Sequence, residues 1–248
     1  MRKVLAVLYL LYAASIFICL MFMVLPLVLL ASALFKVQTS KKLILFFLRC
    51  WAWAFSLLSI FWVKTINKEL IDKKLPHIYV GNHGSYLDAI AVCISLPQYF
   101  SPLGKVEMTK IPVFGLIYQR IVVLIDRSSK ESREQSVNAL KADLAKGESI
   151  LIFPEGTMNK TEKPLSEFYD GAFRIAIETQ TTLMPFVMIN NRELLPRVHP
   201  LKAHPGIIKT VFITPVDVKG LTLEDLPMLK QKVFDLMEEA ILKHARSF

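Results

Sequence analysis

The sequence predicts an α/β protein whose largely parallel sheet is flanked by helices and preceded by an N-terminal membrane-embedded helical hairpin. Three observations predict it: two long apolar runs open the chain, short apolar runs then alternate with amphipathic stretches, and the charge balance is strongly basic. Strands that alternate with helices imply parallel pairing through crossover connections. A net formal charge of +9 over 248 residues, a pI near 9.4 and a mean hydropathy of +0.43 suit a protein held against anionic head groups. They do not suit a nucleic-acid binder, because the chain has neither Cys/His zinc spacing nor an aromatic-rich basic strand. Cys19, Cys50 and Cys93 stand singly in apolar segments. That placement points to neither a disulfide framework nor a thiolate metal site, and it fits a reducing, cytosol-facing domain.

The first apolar run, Val4 to Phe35, holds thirty-two residues without a charge, where a bilayer core needs about 20. Ala31-Ser32-Ala33 resembles a signal cleavage site, but a secretory apolar region is only about 7 to 15 residues long. After the basic loop 36–42, Leu43 to Val63 forms a second apolar run of twenty-one residues that carries Arg49, Trp51, Trp53 and Trp62. It reads as interfacial, or strained as a span. If both runs cross, Arg2, Lys3, Lys64, Lys68, Lys73 and Lys74 on one side face Lys36, Lys41 and Lys42 on the other. That bias places the rest of the chain in the cytoplasm. A shallow hairpin entering and leaving one leaflet gives the same side. Residues 1–63 are therefore expected to anchor the protein in the membrane, and residues 64–248 to form the domain that does the chemistry.

Within that domain, His77 to Val80, Val122 to Ile125, Ile150 to Phe153, Leu183 to Ile189 and Ile207 to Thr214 read as strands. Asp88 to Leu96, Ile111 to Arg120, Glu131 to Lys146, Gly171 to Thr179 and Leu223 to His244 read as helices.

Two stretches carry candidate chemistry. In Asn82-His83-Gly84-Ser85-Tyr86-Leu87-Asp88 an imidazole and a carboxylate stand five residues apart directly after a strand. On one continuous helix those positions are separated by roughly 140°, so the chain must bend for the pair to meet. Gly84 permits the bend, and Ser85-x-x-Asp88 matches a capping box that starts a helix at Ser85. The same stretch can be read as an ordinary helix start, with Asp88 only a cap. The second stretch, Phe153-Pro154-Glu155-Gly156-Thr157, also follows a strand, and the carboxyl ends of parallel strands are where ligands bind. Read alone, it is equally a Pro/Gly turn. His77, His199, His204 and His244 have no matching carboxylate context and read as structural or surface residues.

Taken together, His83-x4-Asp88 and Phe-Pro-Glu-Gly-Thr about seventy residues later, behind a membrane-type N-terminus, resemble the 1-acylglycerol-3-phosphate acyltransferases of the glycerolipid acyltransferase superfamily. The resemblance runs from about Pro76 to Asn190. It includes Gly104-Lys105-Val106-Glu107-Met108, Lys110 to Gly115, Ile125-Asp126-Arg127, Gly171-Ala172-Phe173-Arg174 and Leu183 to Val187. It implies transfer of a fatty acyl group from acyl-CoA or an acyl carrier protein thioester to the sn-2 hydroxyl of a lysophospholipid acceptor, 1-acylglycerol-3-phosphate, giving phosphatidic acid, at a membrane lipid surface and without cofactor or metal. It further implies an acyltransferase domain with His83 as general base, for which histidine's ordinary pKa near 6.5 is suited, and Asp88 as the carboxylate that orients it. The acceptor hydroxyl itself attacks, so Ser85 is a cap and not a nucleophile.

By the same resemblance Glu155 and Gly156 hold the acceptor, with Asn82 and Thr157 beside them. Lys105 and Arg127 are candidates for its phosphate. Backbone N–H groups near Gly156 or at the Ser85 helix start are candidates for the oxyanion. The chain departs from the family pattern at Met158-Asn159-Lys160, where Arg-Ser is common, and at Phe168-Tyr169-Asp170, where a basic residue often precedes the glycine. Both departures remove positive charge from the expected phosphate side and leave Lys160 as the nearest substitute in sequence. Two alternatives are another lysolipid or aminolipid acceptor, and a membrane-anchored lipid-binding protein without turnover.

Overall fold

The structure is a computed structural model that describes residues 2–245. The side chains of Arg2 and Lys3, used above in the charge-bias argument, lie outside the described residues. In chain order the elements are α1 (Arg2–Leu34), α2 (Val37–Ser59), β1 (Phe61–Ile66), β2 (Ile78–Gly81), α3 (Asp88–Ser95), β3 (Phe100–Lys105), α4 (Phe114–Tyr118) and β4 (Val123–Ile125). They continue as α5 (Lys130–Ala145), β5 (Ser149–Ile152), α6 (Gly171–Thr179), β6 (Leu183–Ile189), α7 (Asn191–Leu194), β7 (Gly206–Phe212) and α8 (Leu226–Ala245).

The strands form one seven-stranded sheet in the order β1-β7-β6-β2-β5-β3-β4. From β6 to β4 every neighbour is parallel, while β7 runs antiparallel to β6 and β1 pairs parallel with β7. Both faces are covered, so the central strands are buried at every residue, and side-chain alternation sorts them between two cores. Tyr79, Leu151, Met184, Phe186 and Met188 face the core built with α1, α2 and α3. Ile78, Val80, Ile150, Ile152, Val187 and Ile189 face the core built with α5, α6 and α8.

The two N-terminal helices are long and apolar enough to cross a membrane by length and composition, and they place the protein in association with a membrane. They also form part of the domain's first core. Near its start α2 brings Lys41 to 3.7 Å from Asp143 and Lys42 to 3.8 Å from Glu148. Midway, Arg49 donates to the carbonyls of Leu96 at 2.7 Å and Gln98 at 2.5 Å. Near its end Ser56 donates to the Phe61 carbonyl, and Phe55 stacks on Phe61. Helix α1 packs on α2 through Phe17 against Trp51 and Phe55 and leaves Leu5, Leu8, Leu11, Phe22, Met23 and Leu30 exposed.

Several expectations are corrected. The second apolar run is not one helix: it ends at Ser59, turns through Ile60 in the left-handed region (φ 59°), and becomes β1. A boundary at residue 63 falls inside that strand. Strand β3 was not expected, because Pro102 and Gly104 disfavour strand interiors. It forms by changing partners, pairing with β5 over Phe100–Pro102 and with β4 over Leu103–Lys105. The helix expected over 111–120 is only α4, because Val113 (φ 65°) breaks the turn before it. The helix expected at Ser85 begins at Asp88.

Candidate active site

The site is assembled on the carboxyl edge of the parallel strands, where loops leave β2, β5, β3, β4 and β6 side by side. After β2 the chain bends at Gly84, as the five-residue spacing requires. A Cβ at Gly84 would lie 2.4 Å from Arg192 Cγ, so only glycine fits there without moving Arg192. The bend brings His83 Nδ1 to 2.7 Å from Asp88 Oδ2. The same oxygen accepts from the backbone N–H groups of Gly84 at 2.8 Å and Ser85 at 3.0 Å. Asp88 Oδ1 accepts from Asn191 Nδ2 at 2.6 Å. Asp88 is fully buried, while the His83 side chain is 22% exposed.

An ionised carboxylate only accepts, so the Nδ1 of His83 is the donor in this pair and Nε2 carries the lone pair. Nε2 makes no hydrogen bond to any described residue. The ring stacks on Phe153 from the neighbouring strand end, with centroids 4.5 Å apart and planes 15° from parallel. Phe153 thus fixes the plane in which Nε2 points, a contact that the sequence reading missed.

The segment after β5 is bound to the same loop. Glu155 Oε1 accepts from the His83 backbone N–H at 2.7 Å, and Oε2 accepts from Ser166 N–H at 2.8 Å. The carboxylate expected to receive a glycerol hydroxyl is therefore committed to two backbone amides. Its burial raises its pKa above the usual carboxylate range, against the opposing effect of those N–H donors. Four residues further along, Asn159 N–H donates to the His83 carbonyl at 2.7 Å. Residues 155 and 159 together hold the backbone of His83 from both sides.

The other expected residues separate into three groups. Asn82 is buried and clamps β2 to β6, accepting from Met188 N–H at 2.7 Å and donating to Met188 O at 3.0 Å. Its amide thus uses one N–H and its oxygen in holding the two strands together. Gly156 (φ 70°) is where Arg127 arrives: a Cβ there would lie 2.5 Å from Arg127 Nη1, and the same guanidinium sits 5.9 Å from the Tyr169 ring centroid. Lys105 ends β3 opposite Ile125 in β4, so Lys105 and Arg127 stand at the ends of adjacent strands. Thr157 and Lys160 lie exposed on the loop that follows. None of Lys105, Arg127 and Lys160 forms an ion pair among the described residues.

Two of the backbone N–H groups at the places expected to bind the oxyanion are already used. The Ser85 N–H is bonded to Asp88, and the Gly156 N–H is bonded to the Phe153 carbonyl at 3.0 Å. The sequence reading also missed Asn191 and Arg192. Asn191 is buried beside Asp88, and Arg192 donates to the carbonyls of Thr161 and Lys163. Arg197 adds a 3.4 Å contact to the Met158 carbonyl.

A histidine paired with a buried aspartate, with no serine or cysteine hydrogen-bonded to it among the described residues, stands on the open edge of a sheet beside an apolar hairpin, an arrangement suited to general-base chemistry. Residues 62–189 match the family model described as Acyltransferase. That is more than half of the chain, and the chain belongs to this family. It is 28% identical over 160 residues to "1-acyl-sn-glycerol-3-phosphate acyltransferase alpha" of Mus musculus, covering 64% of this chain and 56% of that one. It is 27% identical over 166 residues to "1-acyl-sn-glycerol-3-phosphate acyltransferase" of Haemophilus influenzae, covering 66% and 68%. The matches span about half the length of several curated relatives, 56% and 42% in two of them. The fold is shared with the crystal structure of the 1-acyl-sn-glycerophosphate acyltransferase PlsC of Thermotoga maritima, with a TM-score of 0.83 and 22% identity over 100% of this chain and 99% of that one.

Proposed function

We propose that the protein transfers a fatty acyl group from an acyl thioester to the sn-2 hydroxyl of 1-acylglycerol-3-phosphate, giving phosphatidic acid for phospholipid synthesis. The observation that carries this reading is the 2.7 Å His83–Asp88 contact, which leaves Nε2 open on the carboxyl edge of the sheet. The acceptor hydroxyl gives its proton to Nε2 as its oxygen attacks the thioester carbonyl, and Asp88 stabilises the imidazolium that forms. Collapse of the tetrahedral intermediate breaks the carbon–sulfur bond. The thiolate then takes the proton back from Nε2, leaving an ester and a free thiol. The donor is acyl-CoA or acyl carrier protein. No cofactor or metal is needed, because base, nucleophile and leaving group are all present. Glu155 serves by holding the His83 backbone. Lys105, Arg127 and Lys160 supply charge for the acceptor phosphate.

The hairpin is read as entering one leaflet. A spanning helix separates its ends by a hydrocarbon core of about 30 Å, whereas α2 is bonded near both ends and at its middle to a single α/β body. Helix α1 then offers its exposed apolar residues to lipid. The site faces the cytoplasm, in keeping with the basic residues Lys64, Lys68, Lys73 and Lys74.

The test is an assay of purified protein in detergent with acyl-CoA and acyl carrier protein donors and a panel of lysolipids with and without a phosphate monoester. Turnover of 1-acylglycerol-3-phosphate above the other acceptors supports the reading. Acylation of none of them would overturn it.

A further inference from the structure

Asn191 is two residues beyond the end of β6 and 103 positions from Asp88 in sequence, yet it is 2% exposed and points its amide at the dyad. Asp88 Oδ2 receives three donors, from His83 Nδ1 and the N–H groups of Gly84 and Ser85. Oδ1 receives Asn191 Nδ2 alone among the described residues. A carboxylate that only accepts requires the NH2 end of the amide to face it, which settles the orientation of Asn191. The loop is built to hold this amide in place. Asn190 takes the left-handed conformation (φ 71°), ties its own side chain to the Ile207 carbonyl at 3.0 Å, and opens the short helix α7.

We propose that Asn191 is a positioning residue for the reaction: it fixes the rotation of the Asp88 carboxylate so that Oδ2, and not Oδ1, meets His83. It touches neither substrate nor the reacting atoms. This inference rests on the acyl-transfer reading for its kinetic arm only.

Asn191→Asp provides the test, because a protonated carboxyl can donate to Oδ1 as the amide does, whereas an ionised one repels Asp88. The charge of Asp88 raises the proton affinity of the introduced carboxyl. The competent form is therefore present at low pH and lost as pH rises through that raised pKa. The other charged groups around the pair are His83 on the same loop, Glu155, whose carboxylate binds the His83 N–H, and Arg192, whose alkyl chain lies against Gly84. Expected results are a kcat lowered on the order of ten- to a hundredfold in Asn191→Leu, with KM values near wild type. In Asn191→Asp the loss should grow with pH, and thermal unfolding in detergent should show both variants folded.

A second arm needs no turnover: the rate of His83 carbethoxylation against pH, read by peptide mass. Its midpoint should rise in Asn191→Asp, where a second negative charge favours imidazolium, and fall in Asn191→Leu. A wild-type protein that acylates no acceptor would sink the acyl-transfer reading and leave this arm standing. Carbethoxylation profiles of both variants that superimpose on the wild type would overturn the positioning role, whatever the assay gives.

Discussion

The two edges of the sheet treat positive charge in opposite ways. On the amino edge, around the start of β5, cations are paired: Lys41 and Lys146 with Asp143, and Lys42 with Glu148. Asp143 and Glu148 are buried, and a buried carboxylate is costly without partners. Asp143 also accepts from Ser101 at 2.7 Å. On the carboxyl edge Lys105, Arg127 and Lys160 have no carboxylate partner among the described residues, and the buried acids Asp88 and Glu155 are already spent, the first on the dyad and the second on backbone amides. Charge on the first edge fastens the hairpin to the domain, and charge on the second is left for an anionic ligand.

The largest expected effect comes from removing what the amino edge fastens. Deleting residues 1–59 strips α1 and α2 from the core that holds Tyr79, Met184 and Phe186, uncovering the part of that sheet face that α3 does not reach. The truncated chain should aggregate, and a soluble, monodisperse product in size-exclusion chromatography would show that the hairpin is only an anchor. Next is the base. His83→Ala should reduce turnover by about 10² to 10⁴ with thermal unfolding unchanged, and near wild-type rates would end the mechanism.

The third effect sharpens the comparison itself. Lys105→Ala and Arg127→Ala should each raise KM for a phosphate-bearing acceptor on the order of tenfold, the scale of a lost charge-assisted hydrogen bond. KM for a phosphate-free acceptor should stay unchanged. Equal effects on both acceptors would mean that these cations support the fold or the donor. Arg127 is the more exposed to that outcome, since it also packs on Tyr169 and Gly156.

How legible this was depended on whether the signal is local. Strand β6 and helix α6 lie where the sequence reading puts them, because each is a run bounded by polar residues. Strand β1 was hidden inside a continuous apolar run, since neither glycine nor proline marks the turn at Ile60. Strand β3 carries residues that normally argue against a strand and forms because neighbours on both sides accept half of it each. In the site, His83 and Asp88 are five residues apart and their spacing forces the bend that joins them. Asn191 reaches Asp88 only through tertiary folding, so nothing near it in sequence announces the contact. The partners of Asn82 and Glu155, Met188 and the amides of His83 and Ser166, were illegible for the same reason: they come from elsewhere in the chain.

Glu155→Gln should have a moderate effect, mainly on stability. A carboxylate accepts both amide N–H groups, whereas a glutamine accepts one and presents an NH2 to the other, so the loss is about 1 to 3 kcal/mol. The pH dependence has a definite sign. Burial raises the folded pKa of Glu155 above its unfolded value, so its contribution to stability is greatest below the unfolded pKa and is lost as pH rises through the folded one. Glu155→Gln should flatten that slope in denaturant titrations run across the acidic range. An unchanged slope would place the acid-range titration on other groups.

The smallest effect is at the amino edge. Lys42 is 60% exposed although Glu148 is only 7% exposed, so water screens the pair and its coupling should be below about 1 kcal/mol. Lys41 is 24% exposed and meets Asp143, which is 7% exposed, so its coupling should be the stronger. Double-mutant cycles of Lys42→Ala with Glu148→Gln and of Lys41→Ala with Asp143→Asn, measured by thermal unfolding in detergent at low and high salt, rank the two. The Lys42 coupling should vanish in high salt and the Lys41 coupling should persist in part, because a less exposed pair is less screened. If both couplings vanish alike, the amino edge holds the hairpin by apolar packing and by Arg49 on the Leu96 and Gln98 carbonyls. Paired charge on that edge would then serve only to neutralise two buried acids, and the contrast between the edges would lie in where acids are placed and not in what the cations fasten.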